Sequence, residues 1–180
     1  MKKAVFLDRD GVINKAIVIA GLPTPPKSLE EVEILDGATE AIALLKKNSF
    51  EVIVVTNQPD VSRGNQTRER VELINHYLSE ELGIEHFFTC FHDDLDNCNC
   101  RKPKPGLIFE AARLLGIDTF KSFMIGDRWR DISAGQSAGC RCFHISNDYL
   151  EKSPEMPFVN VLSLMEATKL ILENAHETLS

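Results

Sequence analysis

The sequence predicts an α/β fold, a doubly wound parallel sheet of the Rossmann-like kind. Short runs that are apolar on consecutive positions alternate along the chain with helical patterns. The runs are rich in β-branched and aromatic residues and lack in-out alternation, as strands covered on both faces do. Acidic and hydroxyl residues cluster just past their carboxyl ends, where open α/β sheets bind ligands.

In chain order, the first run is AVFLD (4–8). The segment 14–35 follows, contains three prolines, and reads as a flap or loop. A helix is expected over 37–48, with Asp36 as N-cap and Lys46 and Lys47 at the end that favours cations. EVIVVT (51–56) is the next strand. A helix over 67–82 places Val71, Ile74, Leu78 and Leu82 on one face and stops at Gly83. HFFTCF (86–91) is a further strand candidate, and a cysteine-rich loop follows it. Pro105 suits the first turn of a helix over 105–115 that ends at Gly116. SFMIGD (122–127), a short helix over 130–139, RCFHI (141–145) and an amphipathic helix over 161–176 complete the alternation.

The length of 180 residues suits one domain spanning 1–180. A net charge of −7 argues against a nucleic-acid surface, which needs clustered Lys and Arg. No uncharged apolar run is long enough to span a bilayer, and the start MKKAVFLDRDG leaves no room for a secretory hydrophobic stretch. The expected location is therefore cytoplasmic, where thiols stay reduced and clustered cysteines read as metal ligands. The sequence leaves the oligomeric state open, with a monomer the simpler expectation.

Three strand ends carry the chemistry: Asp8 and Asp10 in LDRDGV, Thr56-Asn57-Gln58, and Asp127 and Asp131 in GDRWRD. Paired carboxylates two residues apart can divide nucleophilic attack and proton handling between them. With Asp127 they form a hard-oxygen set suited to Mg²⁺. Gly11 would let the backbone turn sharply beside a bound anion. Asp131 alone is equally well explained as helix N-terminal charge. Cys90, His92, Cys98 and Cys100 form a Cys₃His set, a structural zinc composition with no open position. Zinc would supply the folding energy this Asp- and Asn-rich loop lacks, and so aim Arg101 and Lys102. Cys140 and Cys142 read as core, and His76 and His144 as non-ligands.

LDRDG, VVTNQ, RKPKP and IGDRWRDI, in this order between about Ala4 and Ile145, resemble the four motifs of the haloacid dehalogenase-like phosphohydrolases. The Cys-x-His…Cys-x-Cys-Arg-Lys-Pro arrangement is similar to the zinc-carrying subgroup that includes heptose 1,7-bisphosphate and histidinol-phosphate phosphatases. The resemblance implies a core of that family's type, and the gaps between the motifs, one flap and one helix and then one helix and the cysteine loop, are too short for a large cap domain. It also implies that Asp8 is the nucleophile, Asp10 the general acid and base, and Thr56 with the backbone at Asn57 the phosphoryl holder. Lys102 would neutralise charge. Mg²⁺ would sit on Asp8, the main-chain carbonyl of Asp10, and Asp127. Gln58, Arg101 and Arg128 would line the substrate, with Arg101 suited to a second phosphate and Arg63 a further candidate. The implied substrate is a small phosphorylated sugar, foremost a heptose 1,7-bisphosphate losing its 7-phosphate. Histidinol phosphate is the alternative, and a non-catalytic zinc-stabilised binding module is the alternative of another class.

Overall fold

The computed structural model describes residues 1–177, so the last three residues of the expected 1–180 domain lie outside it. Its centre is a six-stranded parallel sheet. The strands are β1 (Ala4–Leu7), β4 (Glu51–Asn57), β5 (His86–Cys90), β6 (Phe123–Gly126), β7 (Arg141–Ile145) and β8 (Val159–Val161), with spatial order β5-β4-β1-β6-β7-β8. A separate antiparallel hairpin pairs β2 (Ile17–Ile19) with β3 (Leu22–Thr24). The helices are α1 (Ala38–Lys47), α2 (Arg68–Leu82), α3 (Gly106–Leu115), α4 (Trp129–Ser137) and α5 (Leu164–Glu177).

The consecutive apolar runs behave as their composition demands. Every residue of β1 and β6 is buried, as is the Val52–Thr56 stretch of β4. Two cores result, one on each face of the sheet. Val5, Leu7, Val52, Val54 and Ile125 pack under α1, α2 and α5, while Ala4, Phe6, Ile53, Val55 and Met124 pack under α3 and α4. Cys140 and Cys142 belong to the second core, as their sequence context suggests, and burial pushes both thiols up to about 12.

Several details depart from the sequence reading. Helix α1 is capped by Gly37 in a left-handed turn (φ 76°), with no side-chain cap, so Asp36 is not its N-cap. Helix α5 begins at Leu164 rather than 161, because Val159–Val161 pairs with β7 as an extra edge strand. Helix α4 starts one residue early, at Trp129, with Asp131 closing a capping box onto the Arg128 N–H at 3.0 Å. The flap 14–35 contains the β2–β3 hairpin, whose Val18, Ile19 and Leu22 remain exposed. The helix expected over 67–82 begins at Arg68, with Thr67 as its N-cap accepting a bond from the Arg70 N–H, and it ends as expected before Gly83 in the left-handed region. No helix among the described residues is long and apolar enough to cross a membrane.

Candidate active site

The carboxyl ends of β1, β4 and β6 meet beneath a cavity of about 420 Å³. Asp8 follows β1, and its N–H donates to Ile125 O of β6 at 3.0 Å, which continues the ladder by one residue. Asp127 follows β6, and Asp131 lies one helical turn further along α4. One oxygen from each of Asp8, Asp127 and Asp131 lies within 4.8 Å of the others, and all three residues are buried. Three crowded carboxylates repel one another. Burial, reinforced by Asp131, raises the Asp8 carboxyl to about 6 although Lys102 pulls the other way. Burial and the Asp8 charge hold Asp127 well above the usual carboxylate range.

Lys102 is the internal counter-charge. Its ammonium lies 2.9 Å from Asp8 Oδ1 and 2.6 Å from Asp131 Oδ1, and donates to Val55 O at 2.7 Å. One hydrogen bond and two ion pairs thus hold the ammonium. Burial alone would lower the Lys102 pKa, but Asp131 and Asp8 reverse this and hold it above its ordinary value. Asn57 fixes the backbone of the same residue: its Nδ2 donates to Lys102 O at 3.0 Å and its Oδ1 accepts from Lys102 N at 3.1 Å.

The groups left over suit a hard cation. Asp127 Oδ1 is buried with no hydrogen-bond partner, and Asp8 Oδ1 has none beyond the Lys102 ion pair. A few carboxylates with room for water and phosphate is the donor set Mg²⁺ takes. The other oxygen of Asp127 accepts from Tyr149 Oη at 2.7 Å. Gly11 (φ 86°) lies directly against this carboxylate, where a Cβ would collide with it. A Cβ on Gly126 would likewise strike the Asp131 side chain. Gly11 therefore makes space for Asp127.

Asp10 takes a different direction. Its Oδ1 accepts from Arg9 Nε (3.1 Å) and Asn14 Nδ2 (2.9 Å), and its Oδ2 from Arg9 (3.0 Å) and Gln58 Nε2 (2.9 Å). Gln58 also donates to Thr56 Oγ1 at 2.9 Å. Gln58 and Thr56 are buried, so Gln58 reaches the cavity through Asp10, which lines it.

The cysteine loop abuts this centre because β5 pairs with β4, which puts Cys90 opposite Asn57. The Sγ atoms of Cys90, Cys98 and Cys100 lie 3.2–3.7 Å apart, with His92 Nδ1 3.3 Å from Cys100 and 3.6 Å from Cys90. A tetrahedral zinc with Zn–S near 2.3 Å would need sulfur edges of about 3.7 Å, so the cluster could hold such an ion with slight expansion. Burial, reinforced by the Cys100 thiol, raises the Cys90 pKa well above the usual thiol range, a shift a central cation would reverse.

The family model of haloacid dehalogenase-like hydrolases matches residues 24–139. The chain belongs to that family. Among its relatives, a D-glycero-beta-D-manno-heptose-1,7-bisphosphate 7-phosphatase of Helicobacter pylori is 38% identical over 144 residues, 76% of this chain and 79% of that one. A D-glycero-alpha-D-manno-heptose-1,7-bisphosphate 7-phosphatase of Photorhabdus laumondii is 32% identical over 185 residues, 94% of this chain and 96% of that one. The two differ in the anomer named. Among solved structures of the family, the D,D-heptose 1,7-bisphosphate phosphatase of B. bronchiseptica, complexed with magnesium and phosphate, superposes with a TM-score of 0.84. It is 27% identical and covers 96% of this chain and 99% of that one. The parallel core and the absence of a large cap insertion among the described residues agree with the resemblance seen in the motifs.

Nearly all sequence-predicted positions come together. Asp8, Asp10, Asn57, Arg101, Lys102 and Arg128 line one cavity, with Arg63 at its side. His144, expected to be a non-ligand, donates from Nε2 to the Asp127 carbonyl at 3.2 Å, and its Nδ1 lies 3.1 Å from Asn160 Oδ1. Trp129 lies under the Arg130 and Lys152 cations. Asp131 does more than the helix-end reading allows, since one oxygen caps α4 while the other faces Lys102. The residues the sequence did not single out include Arg9, Asn14, Asp94, Arg130, Tyr149 and Glu151, the last holding Arg128 at 3.1 Å. For Asp131 a signal existed in the Arg128-x-x-Asp131 capping spacing. Arg130, Tyr149 and Glu151 meet their partners across 20 or more residues, Asp94 meets Arg101 across seven within a loop read for its metal ligands, and Arg9 lies inside a motif read for its acids.

Proposed function

We propose that the protein is a cytoplasmic, Mg²⁺-dependent phosphomonoesterase that removes the 7-phosphate of a D-glycero-D-manno-heptose 1,7-bisphosphate. The observation that supports this most is the meeting of Asp8, Lys102, Asp127 and Asp131 at the floor of a cavity walled by arginines. The relatives' names supply the substrate.

Asp8 attacks phosphorus with one carboxylate oxygen, and the P–O bond to the sugar breaks. The departing alkoxide takes a proton from Asp10, which leaves an aspartyl-phosphate on Asp8. Water then attacks that phosphorus and gives its proton to Asp10, the bond from phosphorus to the Asp8 oxygen breaks to restore the carboxylate, and inorganic phosphate departs. Lys102 offsets the charge on Asp8 and on the transferring oxygens, while Thr56 and the Asn57 backbone orient those oxygens. Arg9, Asn14 and Gln58 orient Asp10. Asp8, the Asp10 carbonyl and Asp127 would hold Mg²⁺, with Asp131 bound to Lys102 beside them. Bound there, the ion offsets the repulsion between a dianionic ester and its carboxylate nucleophile. The Cys90, His92, Cys98 and Cys100 set would hold a structural Zn²⁺ with no position left for water.

Phosphate release from heptose 1,7-bisphosphate, with and without Mg²⁺, tests the reading, with histidinol phosphate as comparator. Mg²⁺-dependent turnover of the bisphosphate, at least tenfold more efficient than that of histidinol phosphate, is expected. Preference for histidinol phosphate, or release from neither ester, would overturn it.

A further inference from the structure

The cavity wall above the carboxylate centre contains two arginines that share one anion. Arg101 Nε donates to Asp94 Oδ1 at 2.8 Å, with a second contact to Oδ2 at 3.5 Å. Arg130, from α4, reaches the same two oxygens at 3.2 and 3.5 Å. Arg101, Arg130 and Asp94 all line the cavity that also holds Asp8 and Lys102. Arg101 is held in place by the loop, its third donor bonding His92 O at 3.3 Å, and is nearly buried. Asp94, by contrast, is 54% exposed and opens a single 3₁₀ turn.

A carboxylate is a poor match for this pair. Two guanidinium forks converge on two oxygens and one negative charge, so each oxygen is shared and two of the contacts stretch to 3.5 Å. A phosphoryl group brings three oxygens and up to two charges, enough for bidentate contact with both forks. Asp94 is the exposed partner in both ion pairs, so its carboxylate can turn out into water while the loop and α4 keep the two arginines in place for an incoming phosphate.

We infer that Arg101 and Arg130 form a two-arginine clamp for the substrate's second phosphate, and that Asp94 occupies this clamp as an internal stand-in which the substrate displaces. Arg130 thereby becomes a specificity residue supplied by α4, and Asp94 a built-in competitor for bisphosphorylated sugars. The inference rests on the proposed sugar-phosphate hydrolysis and deepens it.

The test compares kcat/KM for heptose 1,7-bisphosphate with that for heptose 7-phosphate, in the native protein and two variants. In Asp94→Asn the bisphosphate-to-monophosphate ratio should rise about three- to tenfold, mainly through a lower KM for the bisphosphate. In Arg130→Met the ratio should fall tenfold or more. Bound zinc is measured in both, because Asp94 follows His92 by two residues; if Asp94→Asn loses zinc, Arg130→Met decides alone. A ratio that falls in a zinc-replete Asp94→Asn, or that stays fixed in Arg130→Met, overturns the clamp. Native protein that hydrolyses neither sugar would instead overturn the proposed function.

Discussion

Arg101 and Lys102 are adjacent in sequence and belong to different mechanical regions. Lys102 is tied to the sheet: Asn57 grips its backbone, and Val55, Asp8 and Asp131 take its ammonium. Arg101 is tied to the cysteine loop through Asp94 and the His92 carbonyl. The centre where phosphorus would react is therefore built on β1, β4 and β6, whereas the wall that would read the rest of the substrate is built on the cysteine loop and the start of α4. The sequence reading gave the zinc loop the task of aiming both cations. The geometry divides the task, and leaves the loop chiefly Arg101.

Breaking the sheet-borne centre should have the largest effects. Asp8→Asn should lower turnover by about 10⁴-fold or more, the scale for losing a nucleophile, while the fold persists. Circular dichroism with a phosphate-release assay checks both halves. Asp10→Asn should cost about 10²–10⁴-fold, the usual range for a general acid. It should cost least for aryl phosphates, whose leaving groups need no proton. Lys102→Met should damage stability as well as rate. It strands two buried carboxylates, a loss of about 3–5 kcal/mol by analogy with broken buried pairs, readable by urea titration.

Zinc removal probes the other region. A chelator that strips the Cys₃His site should raise KM for the bisphosphate about tenfold and change kcat by less than about threefold, since the lysine keeps its own anchors. An equal fall in kcat would show that Lys102 depends on the loop after all.

The last effect is on stability alone and is one of pH. Asp8 in the metal-free fold has a carboxyl raised from 3.8 to about 6, so between those values the folded state binds more protons than the unfolded one. Stability of the metal-free protein should therefore fall as pH rises from about 4 to about 6, by at most about 3 kcal/mol from this group. Mg²⁺ should flatten the fall, and so should Asp8→Asn. Thermal melts across that range, with and without Mg²⁺, measure both.

Much of this division is invisible in the sequence. The parallel core was legible because Ala4–Leu7, Val52–Val55 and Phe123–Ile125 are apolar without alternation, a local property. So were the acids past their ends. Val159–Val161 was not, since three residues of an edge strand with exposed Val159 and Asn160 carry too little pattern. The β2–β3 hairpin was hidden by Pro23, which occupies the middle of a three-residue strand. Tyr149 on Asp127 and Arg130 on Asp94 join residues 22 and 36 positions apart, and no local rule encodes those distances.

The reciprocal pair of bonds between the Asn57 amide and the backbone of Lys102 resembles the pairing of neighbouring strands, carried out by a side chain. It ties the loop to β4 at its last residue, beyond the point where the pairing of β4 with β1 has ended. Variation in the length or composition of the cysteine loop can then alter which sugars are accepted without loosening the residue that meets phosphorus. A single asparagine thus insulates the reaction centre from drift in its own periphery, and Asn57→Asp, which loses one of the two bonds, should weaken that insulation.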